Sequence, residues 1–251
     1  MSLKKKINAS ILIIGNEILS GRTQDLNVKY LSEWLNNNCG ITIEKVVIIP
    51  DIKKTIIKNI KELSKTYHYV FTTGGIGPTH DDITAESIAA AFKKKYEFNK
   101  QAFSILKKYY GNSGFNNARQ KMAKMPRGSK LIYNPSSGAP GFMIKNVLCL
   151  PGVPSILQAM LPSTKTLLSR GLKVHTKSFH LVTVESNIAR DLELIQKKFR
   201  MHIDIGSYPF FRLGKIGVSV VLRGKNKNKI SECSKLIQKM INLKKIEVFL
   251  I

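Results

Sequence analysis

The feature that most limits what this chain can fold into is an alternation of short apolar runs with amphipathic stretches across residues 11–94. Residues 11–14 are a continuous apolar run that stops at Gly15. Such a run predicts a strand buried on both faces, as parallel strands are. Leu26, Tyr30, Leu31, Trp34 and Leu35 then recur at helical spacing, and Asn38, Cys39 and Gly40 close that helix. Residues 41–49 are rich in β-branched side chains and end at Pro50. Beyond Asp51, the residues Ile52, Ile56, Ile57, Ile60 and Leu63 mark a second helix face. A third strand is predicted over 67–73, halted by Gly74 and Gly75, with a helix over 84–94. The order β-α-β-α-β-α calls for a parallel sheet with helices on both sides. Ligands of such sheets bind beyond the carboxyl ends of the strands. Three polar loops, at 15–25, 50–51 and 74–82, are therefore expected around one crevice.

Further on, residues 99–124 read as helix interrupted near 111–114. Residues 130–134 and 141–150 read as strands, and a turn over 151–154 leads into a helix over 155–168. After Arg170 and Gly171 the texture changes. A strand over 177–184 is followed by a helix face made by Ile188, Leu192, Ile195 and Phe199. Strands over 203–208 and 216–222, a helix over 230–240 and a terminal strand over 246–251 complete the order β-α-β-β-α-β, the split βαβ or ferredoxin-like pattern. The expected architecture is a three-layer α/β/α domain over 1–170, with a mostly parallel sheet, and a smaller α+β domain over 171–251.

Composition narrows the function. The 251 residues are 43% hydrophobic, enough for a real core. The 41 basic residues outnumber the 16 acidic ones by 25. Only 8 of the basic residues are Arg, leaving 41 − 8 = 33 Lys. Nucleic-acid surfaces favour Arg forks over solvated lysines. These lysines are scattered, with short runs only at 4–6 and 93–95 and at Lys225, Lys227 and Lys229. A nucleic-acid partner is therefore not expected, although the field would concentrate small anions. Cys39, Cys149 and Cys233 are far apart and odd in number, which argues against a disulfide framework or a zinc site and for a reducing, cytoplasmic setting. No apolar run approaches the length of a membrane span.

The chemistry concentrates in the loops. Thr73-Gly74-Gly75-Ile76-Gly77-Pro78-Thr79-His80-Asp81-Asp82-Ile83-Thr84 places three glycines in four residues between a strand and a helix. Bare glycine amides and a helix start favour a phosphate. The loop lacks the Gly-Lys-Ser/Thr of a Walker A motif and the dinucleotide GxGxxG. Thr84 is the expected N-cap, with Glu86 in the first turn. Asp81 and Asp82 are candidates to hold Mg²⁺ between substrate phosphates or to orient an attacking water. A purely structural bond to the loop is the other reading of either carboxylate. In the first loop, Glu17 could meet a base or pterin edge, and Ser20, Thr23 and Asn27 a ribose or phosphate, with Asp25 as helix cap. From spacing alone, Asp51 is the N-cap of the helix after it. His80 has no second His or Cys at ligand spacing.

Together these segments resemble the molybdenum-cofactor-biosynthesis fold family, the Mog/MoaB-like molybdopterin-binding domain. The likeness is closer to its CinA branch and to the N-terminal domain of eukaryotic FAD synthase. It is carried by Gly15-Asn16-Glu17-Ile18-Leu19-Ser20-Gly21 with Asn27 and by the Gly74 loop through Thr84. Asn117 with Arg119-Gln120, Asn134 with Gly138-Ala139-Pro140-Gly141-Phe142, and Leu150-Pro151-Gly152-Val153-Pro154 complete it. The run 202–224 resembles the region that follows that domain in FAD synthase.

The resemblance implies a fold that binds molybdopterin- or ADP-like ligands as a homo-oligomer, a dimer or trimer. Asp51 and Asp82 match the two aspartates that serve adenylyl transfer to molybdopterin in Mog-type proteins. In the CinA-like branch, related domains are metal-dependent pyrophosphatases acting on ADP-ribose or FAD. Under either activity Gly74, Gly75 and Gly77 hold phosphate, Pro151, Gly152 and the turn through Pro154 wall the pocket, Pro78 of the glycine loop also meets the ligand, and Arg119 approaches an anionic group. His80 stands where the CinA branch carries a basic side chain. Neither the amidohydrolase domain of full CinA nor the transferase domain of FAD synthase follows, so pyridine-nucleotide deamidation and FAD synthesis are not expected. Two activities remain to be separated. One is hydrolysis of a nucleotide diphosphate bond with a divalent metal ion, the Mg²⁺ that Asp81 and Asp82 would hold. The other is molybdopterin binding or adenylyl transfer. A non-catalytic binding module is the third reading.

Overall fold

A computed structural model describes residues 6–212 and 214–249. The chain divides into two compact units, Met1–Gly171 and Leu172–Ile251.

In the first unit, β1 (Ile7–Ile14), β2 (Ile41–Ile49) and β3 (Tyr69–Thr73) alternate with α2 (Asn27–Cys39), α3 (Lys53–Thr66) and α4 (Thr84–Ala91), and the short α1 (Asn16–Leu19) follows β1. Further along lie β4 (Tyr96–Phe98), α5 (Lys100–Gly114), α6 (Asn117–Lys121), β5 (Lys124–Pro126), β6 (Lys130–Ile132), β7 (Gly141–Ile144), β8 (Val147–Leu150) and α7 (Pro154–Thr164). The main sheet has the order β2-β1-β3-β8-β7-β6. Strands β2, β1, β3 and β8 are parallel, whereas β7 and β6 run antiparallel to their neighbours.

The continuous apolar run of β1 works as expected of a strand buried on both faces. Leu12 and Ile14 enter one core with Ile56, Ile60 and Leu63 of α3, while Ile11 and Ile13 enter another with Leu31 and Leu35 of α2. Two cores on opposite sides of one sheet make the three layers. Each fully buried Ile or Leu contributes about 1.5–3 kcal/mol of apolar transfer free energy. Helix α2 stops where Gly40 takes φ 66°, a left-handed C-cap that a side chain disfavours.

Three local expectations are corrected. The strand expected over 141–150 is the hairpin β7–β8, turned at Lys145 with φ 52°. Its run is apolar on both sides of Lys145-Asn146, with no glycine or proline to announce the reversal. Asn146 fixes the turn by donating through Nδ2 to the carbonyls of Ser64 (2.9 Å) and Tyr67 (3.0 Å). The pair β4–β5, antiparallel at the ends of the 99–124 segment, was not expected at all. Thr84 does not cap α4. Ile83 stands at that position without a side-chain cap, and the Thr84 hydroxyl is buried with no partner among the described residues.

The second unit comprises β9 (His175–Leu181), α8 (Glu185–Phe199), β10 (Ile203–Arg212), β11 (Lys215–Gly224) and α9 (Lys227–Leu243). Its sheet runs β10-β11-β9, all antiparallel. The expected terminal strand is reduced to one antiparallel bridge from Val248 to Leu181, and residues 250 and 251 lie outside the described ones. The bridge lies on the far side of β9 from β11, giving the strand order of a split βαβ. Phe179, Leu181, Ile188, Val220, Leu222 and Ile237 are among the side chains of its separate core. Among the described residues no helix is long and apolar enough to cross a membrane. Cys39, Cys149 and Cys233 are all buried free thiols. Burial pushes Cys149 up to about 12 and Cys233 up to about 11, so both stay protonated.

Candidate functional site

The parallel strands deliver their carboxyl ends to one edge of the first unit, and backbone bonds tie neighbouring ends together. The amide of Gly15 donates to Ile49 O (3.2 Å) and that of Gly74 to Leu150 O (3.2 Å). Over this edge lies a cavity of about 590 Å³. Gly74, Gly75, Ile76, Gly77, Pro78 and Thr79 form one side with Asp81 and Asp82. Gly15, Glu17, Thr23 and Asp51 form another, and Pro151 to Pro154 a third.

The glycine loop does what its residue types allow. Gly74 has φ 96°, and a Cβ there would lie 2.2 Å from Ile14 O. Gly75 has φ 68°, and a Cβ would lie 2.1 Å from Thr84 Oγ1. Only glycine fits at either place. The Gly74 amide, expected to face an anion, is already spent on Leu150. Among the described residues the amides of Gly75, Ile76 and Gly77 have no protein partner. The bare arc is thus displaced by one residue from the expectation and includes an isoleucine. Gly77 is held close against Asp82, whose Oδ2 would be 2.7 Å from an added Cβ.

Asp82 clamps the loop, since its Oδ2 accepts from the amide (2.8 Å) and the hydroxyl of Thr79. That leaves Oδ1 for a ligand. Asp81 is exposed and held below the usual carboxylate range. The causes are the Thr79 side chain and its own amide first, then attraction to His80 and Lys121. Asp51 does not cap α3, which has no side-chain cap. It reaches instead across the sheet edge, where Oδ2 accepts from the amide of Asn16 at 2.9 Å. Burial raises the Asp51 carboxyl above its ordinary value. The Asn16 bond opposes that rise, and repulsion from Glu17 and Asp81 adds to it. Glu17 folds over Gly15, with Oε1 2.5 Å from where a Cβ would stand. Glu17 and Asp51 therefore put two carboxylates across the cavity from the bare amides, and Asp81 adds a third on the amides' own side.

Other expected residues serve the frame. Asn27 is buried and donates through Nδ2 to Gly152 O (2.7 Å), fixing the proline turn, while its Oδ1 has no partner among the described residues. Thr73 and Thr84 are buried beneath the loop, their hydroxyls without a partner among the described residues. Ser20 is exposed outside the cavity lining, its hydroxyl donating to Glu17 O at 3.3 Å. Asp25, expected as the N-cap of α2, stands one residue before it: Leu26 holds the cap position, and Asp25 accepts from the amide of Val28 (2.9 Å). Arg119 is not among the lining residues: it donates to Gly114 O and lies 4.3 Å from the centroid of the Tyr110 ring. Tyr110 itself lines the cavity, as do Met122 and Asn134. Tyr110 went unrecognised as a site residue, although it directly precedes the break at Gly111, where φ is 68°.

The residues are suited to a shared rather than a dedicated metal. Among the described residues no three His, Cys, Asp or Glu side chains could hold an ion by themselves. Mg²⁺ is usually held by one or two carboxylates together with substrate phosphates. Asp51, Asp81 and the free oxygen of Asp82 can supply such ligands beside the amide arc.

Comparison with known proteins fits this geometry. Residues 10–173 match the family described as probable molybdopterin binding domain. The chain belongs to that family. Residues 173–249 match the middle domain of FAD synthase. A curated relative from Archaeoglobus fulgidus is 32% identical over 94% of this chain and 98% of its own length. Another, from Sulfurisphaera tokodaii, is 33% identical over 96% of this chain and 95% of its own. Among solved structures, the protein CinA of Thermoplasma acidophilum, described as of unknown function, is 32% identical with a TM-score of 0.60. That match covers 64% of this chain and 97% of CinA. As a member of the molybdopterin-binding-domain family, the chain carries its glycine loop and its paired loop aspartates within the matched span.

Proposed function

We propose that the first unit binds a nucleotide through its phosphates and hydrolyses a diphosphate bond of an ADP-ribose- or FAD-like molecule. One observation carries this reading. The cavity sets three bare amides, at Gly75, Ile76 and Gly77, against the carboxylates of Glu17 and Asp51, with Asp81 beside the amides. An anion alone suits the first and is repelled by the second. A diphosphate with a divalent cation, Mg²⁺ by its preference for carboxylate and phosphate oxygens, satisfies both. Bound there, the ion would neutralise phosphate charge and polarise the P–O bonds.

The chain's own residues do the rest. The amide arc orients one phosphate, and the clamp between Asp82 and Thr79 keeps the arc in shape. Asp51, with Oδ2 occupied by Asn16, uses Oδ1 to take a proton from the incoming water. The water oxygen bonds to one phosphorus as the bond from that phosphorus to the bridging oxygen breaks. The bridging oxygen leaves with the other phosphate, giving AMP and a second phosphomonoester. Pro151 to Pro154 and Tyr110 enclose the organic part.

The experiment is AMP release from ADP-ribose and from FAD with Mg²⁺, with Asp82→Ala and Asp51→Asn as controls. Turnover lost in both variants supports the reading, and turnover equal to wild type in both overturns it. The family match favours one second reading, in which the same arc holds the phosphate of molybdopterin for adenylyl transfer. Turnover only when pterin and ATP are supplied together, with none on ADP-ribose or FAD, would select it. Ligand retained without turnover in either assay would mark a binding module.

A further inference from the structure

The second unit contains a larger cavity, of about 840 Å³, which none of the chemistry above uses. It lies where the end of α8 and the start of β10 meet the end of β11 and the start of α9. Its charged lining is unequal. Lys197, Arg200, Arg223 and Lys225 supply four cations, against Glu193 and Asp204. Glu193 is already bonded to Lys197 at 2.5 Å. Among the described residues Arg200, Arg223 and Lys225 have no carboxylate partner. The Arg223 guanidinium lies 6.0 Å from the centroid of the Tyr208 ring, and Asp204 stands opposite Arg223 in the β10–β11 ladder without forming an ion pair with it.

The walls are built rather than loose. Gln196 of α8 donates through Nε2 to Ile203 O (2.8 Å) and accepts through Oε1 from the amide of Ile205 (2.7 Å), locking α8 to β10. Gly224 is buried at the end of β11, paired with Ile203 on one side and His175 on the other, and a Cβ there would lie 2.7 Å from His202 O, so only glycine lets the strands close at this corner. Two unpaired guanidinium forks and a lysine around a cavity of ligand size are the chemistry that grips phosphate oxygens bidentately.

We infer that this groove is a second anion site, taking a small ligand with two linked phosphates, of the nucleoside diphosphate class. Arg200 and Arg223 each fork onto one phosphate, and Lys225 adds charge between them. The site stands on residues separate from the first cavity and does not depend on the activity assigned there. This is an open groove with room for one nucleotide, whereas a nucleic-acid strand would need a continuous cationic track. Met201 at the rim is 86% exposed and offers its thioether to the organic part of the ligand.

The test is titration of the full chain with inorganic pyrophosphate and with ADP, in EDTA, read by amide shifts at Gly224, Lys225 and Asn226 and by calorimetry. Saturable shifts at those three amides are expected, with Kd rising at least tenfold in the Arg200→Ala/Arg223→Ala double variant. Glu193→Gln, which frees Lys197 without removing any proposed contact, should tighten binding two- to threefold. It keeps the inference testable should the double variant fold poorly. Shifts confined to Gly75, Ile76 and Gly77, or equal affinity in wild type and both variants, overturn the proposal. So does a single-stranded RNA of twenty nucleotides that binds this groove more tightly than ADP at the same salt.

Discussion

Gly75 carries two constraints at once, a left-handed backbone and a Thr84 hydroxyl where a Cβ would stand. Gly75→Ala should cost about 2–4 kcal/mol, from about 1–2 for the left-handed conformation and the rest from overpacking. Urea unfolding measures it, and adding Thr84→Ala should restore only the packing part. A cost below about 0.5 kcal/mol would mean the loop relaxes freely. Asp51 gives a prediction of opposite sign. Its carboxyl is raised in the folded protein, so its ionisation opposes folding. That cost is absent below the ordinary aspartate pKa and develops as pH rises through the raised one. Asp51→Asn, which can still accept from Asn16, should therefore melt slightly higher than wild type at neutral pH and equally at pH 3. In wild type, where Asp51 must be ionised to take the proton, the acid limb of turnover should lie above the ordinary aspartate value. The glycines and the aspartates of this site were legible as residue types. The partners were not: Asp51 and Asn16 are 35 positions apart, and a capping rule sees only the next turn. The buried, unpartnered hydroxyl of Thr84 was equally out of reach, because it arises from the approach of Gly75 to a helix start.

Elements were legible where burial imposes a period. Helix α3 shows its face as Ile56, Ile60 and Leu63, and β1 shows its double burial as an unbroken apolar run. The hairpin β7–β8 was missed because both of its strands are apolar and its turn uses Lys145 and Asn146, neither of which breaks a strand by itself. What makes the turn is a long-range pair of bonds from Asn146. Asn146→Ala leaves two carbonyls without these donors, at about 1–3 kcal/mol in total. Because β8 carries the Pro151 turn into the cavity, the same variant should also weaken nucleotide binding. Calorimetric unfolding and a binding titration check the two effects. A stability loss with unchanged affinity would separate the hairpin from the site.

Across the chain, cores on both faces of one sheet serve the first unit and a third core serves the second. Unfolding should accordingly occur in two transitions. Ile237, fully buried in α9, belongs to the third core alone. Ile237→Ala should lower one transition by about 2–5 kcal/mol and leave the other in place, as scanning calorimetry of the full chain would show. One merged transition shifting as a whole would refute the separation. The ferredoxin-like order of the second unit was readable because each of its strands alternates or is bounded by turn residues. Its groove was not, because Arg200 and Arg223 come to line one groove only when α8 and β11 end at the same corner. The excess of 25 positive charges pointed nowhere in particular, being spread over 33 lysines.

The division of the first cavity into a ring of bare N–H groups and a facing row of carboxylates has a practical corollary for inhibitor chemistry. A synthetic competitor must carry charges of both signs in the right order, an acidic head for the glycine turn and a basic arm a few bonds away. Under the proposed function, a neutral mimic of the same outline would gain neither contact, and a purely acidic one would compete only in buffers that also contain a divalent salt.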